Sequence, residues 1–208
     1  AQGGPGRIAF LQKEYPRAIR HFRLQLRTAR GDLQQRTVLS SLLLCATAQG
    51  DRAATAEYLI RLLPRAEERM YIVDRLRALL GGFRAQDARS LGERLRGDPR
   101  LLTEYLEYRL DFTDPTHELY RFATVSGISG VSLARLANAA LALRDGRRAT
   151  RFARLALAKP EERDSHAMAT FVLASVDRRG GQLRAARDRY ASILRRWPQS
   201  YLVGGARE

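Results

Sequence analysis

The side chains of this 208-residue sequence that could do chemistry are few and scattered. A transition metal needs imidazole, thiolate and carboxylate ligands brought together, which in a sequence shows as HExxH or as paired Cys/His spacings. The three histidines, His21, His117 and His166, fall in separate segments without such spacing, so no metal and no cofactor is expected. The single cysteine, Cys45, lies in the apolar run SLLLCATA and reads as a buried structural thiol, because a reactive one needs exposure and a lowered pKa. Acid pairs able to donate and accept protons occur at Glu67-Glu68, Glu104/Glu107 and Glu161-Glu162. A polysaccharide-cleaving enzyme would need one such carboxyl with a raised pKa in a cleft. Glu104 and Glu107 share a helical face, but Arg94, Arg96, Arg100 and Arg109 lie nearby in sequence to neutralise them. Ordinary surface pairing is the expected role, and no catalytic residue is assigned. Ser126-Gly127-Ile128-Ser129-Gly130 has glycines but lacks the Lys-Ser/Thr ending of a phosphate-cradling loop, and reads as a helix-helix loop that allows a bend near 126–131.

The charge is the strongest compositional signal. Of the 37 basic residues only Lys13 and Lys159 are lysine, and the formal net charge is +15. Residues 1–50 carry net +6, residues 51–118 net −1 and residues 119–208 net +10. Two basic ends flanking a neutral middle could serve an anionic partner, and could equally be a solvated helical surface or a trace of coding composition. The arginines recur on many segments and form no recognition motif for nucleic acid. One cysteine excludes a disulfide framework, and no apolar stretch approaches the roughly 18 residues that span a membrane. Glycine and proline, 16 and 7 residues, are too few for collagen or a disordered linker protein.

What must position these residues is helix. Gly31-Asp32 and Gly50-Asp51 each offer a glycine stop and an acidic cap. Asp98-Pro99 and Asp114-Pro115 offer a cap and a first-turn proline. No run alternates at period 2, so an all-α chain is predicted, with helices near 15–29, 33–48, 52–63, 66–79, 84–96, 99–110, 116–125, 132–144, 147–158, 161–178 and 182–196. Leu133, Leu136, Ala137, Ala140 and Leu141 make one apolar stripe, and Ala149, Phe152, Ala153 and Ala156 the next. Short loops make consecutive helices neighbours.

The clearest pattern is the last, AMATFVLASVDRRGGQLRAARDRYASILRRWP from Ala167 to Pro198. It resembles a tetratricopeptide repeat, a helix-turn-helix unit of roughly 34 residues. Leu173, Ala174, Gly181, Ala186, Tyr190, Ile193 and Pro198 fall at the family's places. Gly146, Ala149, Ala156 and Pro160 echo it with a turn-to-helix spacing about two residues short, and Gly50, Thr55, Leu59, Leu62 and Pro64 echo it with a shortened second helix. EYPRAIRHFRLQL resembles a second helix alone, with Tyr15, Ala18 and Phe22 in its apolar places and its first helix missing. Residues 64–125, which include DFTDPTHELY, depart from the pattern.

The resemblance implies a right-handed superhelix of antiparallel helix pairs over residues 15–200, irregular in the middle. A flexible segment at 1–14 precedes it and a linker-like tail at 201–208 follows. A missing first partner suits either a piece of a longer solenoid or an irregular cap; a simple helical bundle is the competing architecture. Ala1–Gly6 lacks the basic start and apolar segment of an intact signal peptide. The resemblance further implies a non-catalytic scaffold that binds a protein or peptide on a groove lined by first helices, here Met168, Phe171, Ser175, Arg178 and Arg179. It also suggests a periplasmic role in a bacterial exopolysaccharide-export assembly. A basic groove for an acidic polysaccharide or nucleic acid is the second expectation, and a helical enzyme the third.

Overall fold

The computed structural model describes residues 4–65, 69–112, 117–160 and 163–207. Among them every regular element is helical: α1 (Pro5–Leu11), α2 (Tyr15–Thr28), α3 (Asp32–Ala48), α4 (Arg52–Leu62), α5 (Arg69–Gly81), α6 (Ala85–Leu95), α7 (Pro99–Phe112), α8 (Gly130–Ala142), α9 (Gly146–Leu157), α10 (Arg163–Arg179), α11 (Leu183–Arg196) and α12 (Val203–Arg207). Two 3₁₀ segments, Leu63–Arg65 and His117–Thr124, complete the list. None of these helices is long and apolar enough to cross a membrane. The chain divides into two compact units, Ala1–Leu95 and Arg96–Glu208.

In the first unit each helix packs on the next from α1 to α4, and α4 then carries both α5 and α6. That position leaves α4 enclosed, with every residue from Ala53 to Ile60 buried. Its one acid, Glu57, is held by Arg61 at 3.0 Å and Arg94 at 3.5 Å. Arg94 also reaches Asp51 at 2.9 Å, so α6 is tied to α4 by charge as well as by Leu91 and Leu95. A buried carboxylate is tolerated because its partners are charged and close.

In the second unit α8 packs on α9, α10 lies against both, and α11 lies against α10. Alanine makes this closeness available: Ala134, Ala137, Ala140, Ala149, Ala153, Ala156, Ala167, Ala169 and Ala174 are all fully covered. Small side chains let helix axes approach, and larger residues such as Leu136 and Phe152 fill the grooves. The segment expected to bend, 126–131, lies inside this unit. Ile128 is buried there and Ser129 caps α8 by accepting the Ser132 N–H at 3.0 Å.

One turn recurs four times. The residues at 13, 50, 144 and 181 all adopt left-handed φ, between 59° and 77°. At each, the residue's own N–H donates three residues back, and the next N–H donates five back: Lys13 to Phe10 and Glu14 to Ala9, Gly50 to Thr47 and Asp51 to Ala46, Arg144 to Leu141 and Asp145 to Ala140, Gly181 to Arg178 and Gln182 to Asp177. This pair of bonds is the Schellman stop of a helix, and it turns the chain straight into the next one. A small or short residue five places later is buried each time, Ala18, Thr55, Ala149 and Ala186. The two turns of each unit are 37 residues apart.

The ends differ from the sequence expectation. Residues 5–11, expected to be flexible, form the short α1, which packs on α2. Gly6 lies so close to Phe22 that a Cβ there would meet the ring at 2.9 Å, so α1 supplies the partner that α2 lacked. The tail, expected to be a linker, folds as α12 with Ala206 buried beside Trp197 and Ile193. Segments of seven and five residues cannot show helical periodicity, and they are held by tertiary contact instead.

Candidate docking surface

Helix α9 is the most sharply two-sided element of the second unit. Its N-cap Asp145 accepts the Arg148 N–H at 3.0 Å and the Arg148 guanidinium at 3.0 Å. That backbone bond, and then the guanidinium, hold the Asp145 carboxyl below its usual pKa. Arg148 also lies over the Tyr120 ring at 5.2 Å, and Tyr120 meets Phe152 edge-on at 5.3 Å. The inner face is therefore fixed by Ala149, Phe152, Ala153 and Ala156.

The outer face carries Arg147, Arg151 and Arg154, spaced so that all three project together. Among the described residues none of these three side chains has an ion pair or hydrogen bond. With Thr150 and Leu155 they line an open hollow of about 520 Å³, and Leu155 is 37% exposed. A helix with such a face holds three fixed positive charges around one apolar side chain, which suits an anionic, partly apolar ligand. A second hollow, about 590 Å³, lies at the start of α11 and carries one charge of each sign, Arg184 and Asp188. It offers no such selectivity.

The five expected groove residues are not assembled into one open face. Phe171 meets Tyr190 of α11 edge-on at 5.6 Å, and Ser175 Oγ lies 3.0 Å from the Tyr190 hydroxyl. Arg179 Nη1 donates to the Leu141 carbonyl at 2.8 Å and so satisfies the end of α8. Met168 is half-buried. Arg178 alone is exposed with a side chain that has no partner among the described residues. The physical reason is that α11 and the folded tail occupy that side of α10, and Gly205 rests against Phe171.

The candidates for other chemistry are likewise placed. Cys45 is fully buried and burial pushes its thiol pKa up, the opposite of activation. His166 Nε2 bonds the Lys159 carbonyl at 3.3 Å, and His117 meets Tyr120 edge-on at 5.3 Å. Among the described residues no group of three His, Cys, Asp or Glu could hold a metal. Glu104 pairs with Arg100 at 3.8 Å. Glu67, Glu68, Glu161, Glu162, Asp114 and Pro115 lie outside the described residues. The most perturbed group is Tyr105, whose phenol is pushed up to about 12 by burial, with Arg109 bonded to it. It is completely covered, so it serves packing rather than a reaction.

Sequence reasoning missed the α9 face because it anchored the second echo on Gly146. The left-handed residue is Arg144, and from Arg144 to Ala149 the spacing is five, as from Gly181 to Ala186. The apparent shortfall of two residues disappears. Aligning on the residue before each acidic cap, Lys13-Glu14 and Arg144-Asp145, would have found it. The sequence matches no protein-family model, and no curated protein matches it.

Proposed function

We propose that this chain is a non-catalytic helical scaffold that docks an acidic protein partner. The observation that carries the reading is the outer face of α9, where three arginines without a side-chain partner among the described residues surround an exposed leucine on a helix whose other side is locked into the unit. Arginine pairs carboxylates in rigid, bidentate geometry, and a leucine among the arginines rewards a partner with apolar side chains. The repeated helix-turn-helix unit supports a solenoid of the tetratricopeptide kind, in which each pair leans on its neighbours and the surface rather than a cavity does the work. Placing such a scaffold in a bacterial exopolysaccharide-export assembly rests on the resemblance alone.

A second reading, a basic surface for an acidic polysaccharide or nucleic acid, is favoured by the net +10 of residues 119–208. Binding of immobilised chain to nuclease-treated cell extract at about physiological salt separates the two. The scaffold reading expects a saturable protein partner. Retention of nucleic acid or glycan alone, released steeply by added salt, contradicts it.

A further inference from the structure

The α9 face has a copy. Counted from the left-handed residue of the turn, α2 and α9 agree at these places: Lys13-Glu14 with Arg144-Asp145, Arg17 with Arg148, Ala18 with Ala149, Arg20 with Arg151, Arg23 with Arg154 and Leu24 with Leu155, while Pro16 stands at the place of Arg147. The structure repeats the geometry of the cap and of the buried alanine. Arg17 bonds Glu14 at 3.0 Å as Arg148 bonds Asp145 at 3.0 Å. Ala18 and Ala149 are both fully buried against the preceding helix, which fixes the rotation of each helix. Arg20 then stands outward beside Leu24, which is 58% exposed, as Arg151 stands beside Leu155. Arg23 is exposed like Arg154, but its Nε donates to the Tyr58 hydroxyl of α4 at 3.3 Å, which leaves its terminal nitrogens to face a partner.

The other two helices that follow this turn are built differently. At the place of Arg20 and Arg151, α4 has Glu57 and α11 has Asp188; at the place of the leucines they have Arg61 and Ser192. The Arg-x-x-Arg-Leu face is thus confined to the first turn-following helix of each unit. Packing does not require it, since α4 and α11 fold without it.

We infer that α2 and α9 are two docks of the same chemistry, each taking one acidic amphipathic helical segment of a protein partner. This rests on the scaffold reading and goes beyond it by fixing the number of docks and the chemistry of the occupant. Two guanidinium groups one helical turn apart match carboxylates three or four residues apart on a facing helix, which are separated by the same distance. The leucine adds an apolar contact that a polyphosphate or a glycan would not use. The lining of the α9 hollow contains no aromatic side chain on which a base could stack.

The test is calorimetric titration of the full chain with a synthetic helical peptide of about 18 residues, long enough to hold its own helix, carrying glutamates three and four residues apart beside leucines. The expected result is two peptides per chain. Arg151→Glu with Arg154→Glu leaves one, Arg20→Glu with Leu24→Ser leaves one, and the combination leaves none, each lost site weakening by about tenfold or more. Helix content by circular dichroism stays unchanged, because all four side chains are exposed. Leu155→Ser alone weakens the α9 site. The inference is overturned by a stoichiometry of one, by no binding, or by sites that ignore these substitutions. It is also overturned if a single-stranded oligonucleotide or heparin binds as tightly and is indifferent to Leu155→Ser. If an extract protein is captured while the peptide result fails, the scaffold reading stands and the two docks fall.

Discussion

Replacing Arg144 by glycine is expected to stabilise the protein, which inverts the usual sense of a glycine substitution in a helical chain. Arg144 holds φ at 59° in the turn from α8 to α9. The left-handed conformation brings Cβ against the neighbouring carbonyl and costs an L-residue about 1–2 kcal/mol. Glycine removes that strain and raises the entropy of the unfolded chain, which offsets about 0.4–1 kcal/mol. The Arg144 side chain is exposed and, among the described residues, makes no ion pair or hydrogen bond, so nothing else is lost. The net gain is about 0.5–1 kcal/mol, or roughly 2–3 °C in Tm for a chain of this size. Gly181→Ala is the mirror experiment. At φ 77°, with nothing within 4 Å of an added Cβ, it pays only the backbone strain and should lose a similar amount. Differential scanning calorimetry of both variants decides. A fall in Tm for Arg144→Gly, or a neutral Gly181→Ala, refutes the equivalence of the turns.

The remaining predictions concern cap, core and end. Asp145→Ala should lower stability by about 1 kcal/mol through loss of the N-cap bond to Arg148. Because the folded pKa of Asp145 lies below its unfolded value, its contribution is complete above that unfolded value and disappears as pH falls through the lowered one. Acid titration of urea midpoints for wild type and Asp145→Ala should therefore converge as pH falls through that lowered value. Tyr105, raised to about 12, works in the other direction. Its contribution is intact below about pH 10 and is lost as pH rises toward 12, by about 2–3 kcal/mol, and Tyr105→Phe should flatten that alkaline loss. Gly6→Ala forces the Phe22 ring away from a 2.9 Å approach, and should cost about 1–3 kcal/mol and expose α1 to proteolysis.

How much of this was legible before the structure depends on the residue. The all-α class and most helix limits followed from visible stops such as Gly50-Asp51 and Asp98-Pro99, where a left-handed glycine or a capping side chain leaves its own signature. The turn at Arg144 was hidden because arginine gives no such signature, although the local bonds are the same as at Gly181. The segment His117–Thr124, expected as an ordinary helix, is a 3₁₀ run, which the apolar spacing of Leu119, Tyr120, Phe122 and Ala123 could not distinguish. The resemblance puts Phe171 and Ser175 on a groove because first helices line it in that family. In the structure Phe171 is half-buried against Gly205 of α12 and Tyr190 of α11, and Ser175 is bonded to Tyr190. Exposure is a property of the neighbours, and a single helix does not announce which neighbours it will have.

The most direct test of the account is amide NMR mapping of the full chain titrated with the acidic leucine-bearing peptide. The account predicts saturable shifts confined to two stretches, residues 17–24 of α2 and 147–155 of α9, with α11 silent despite its arginines. Shifts centred on 168–179 of α10, or spread evenly over every arginine-bearing helix, would contradict it.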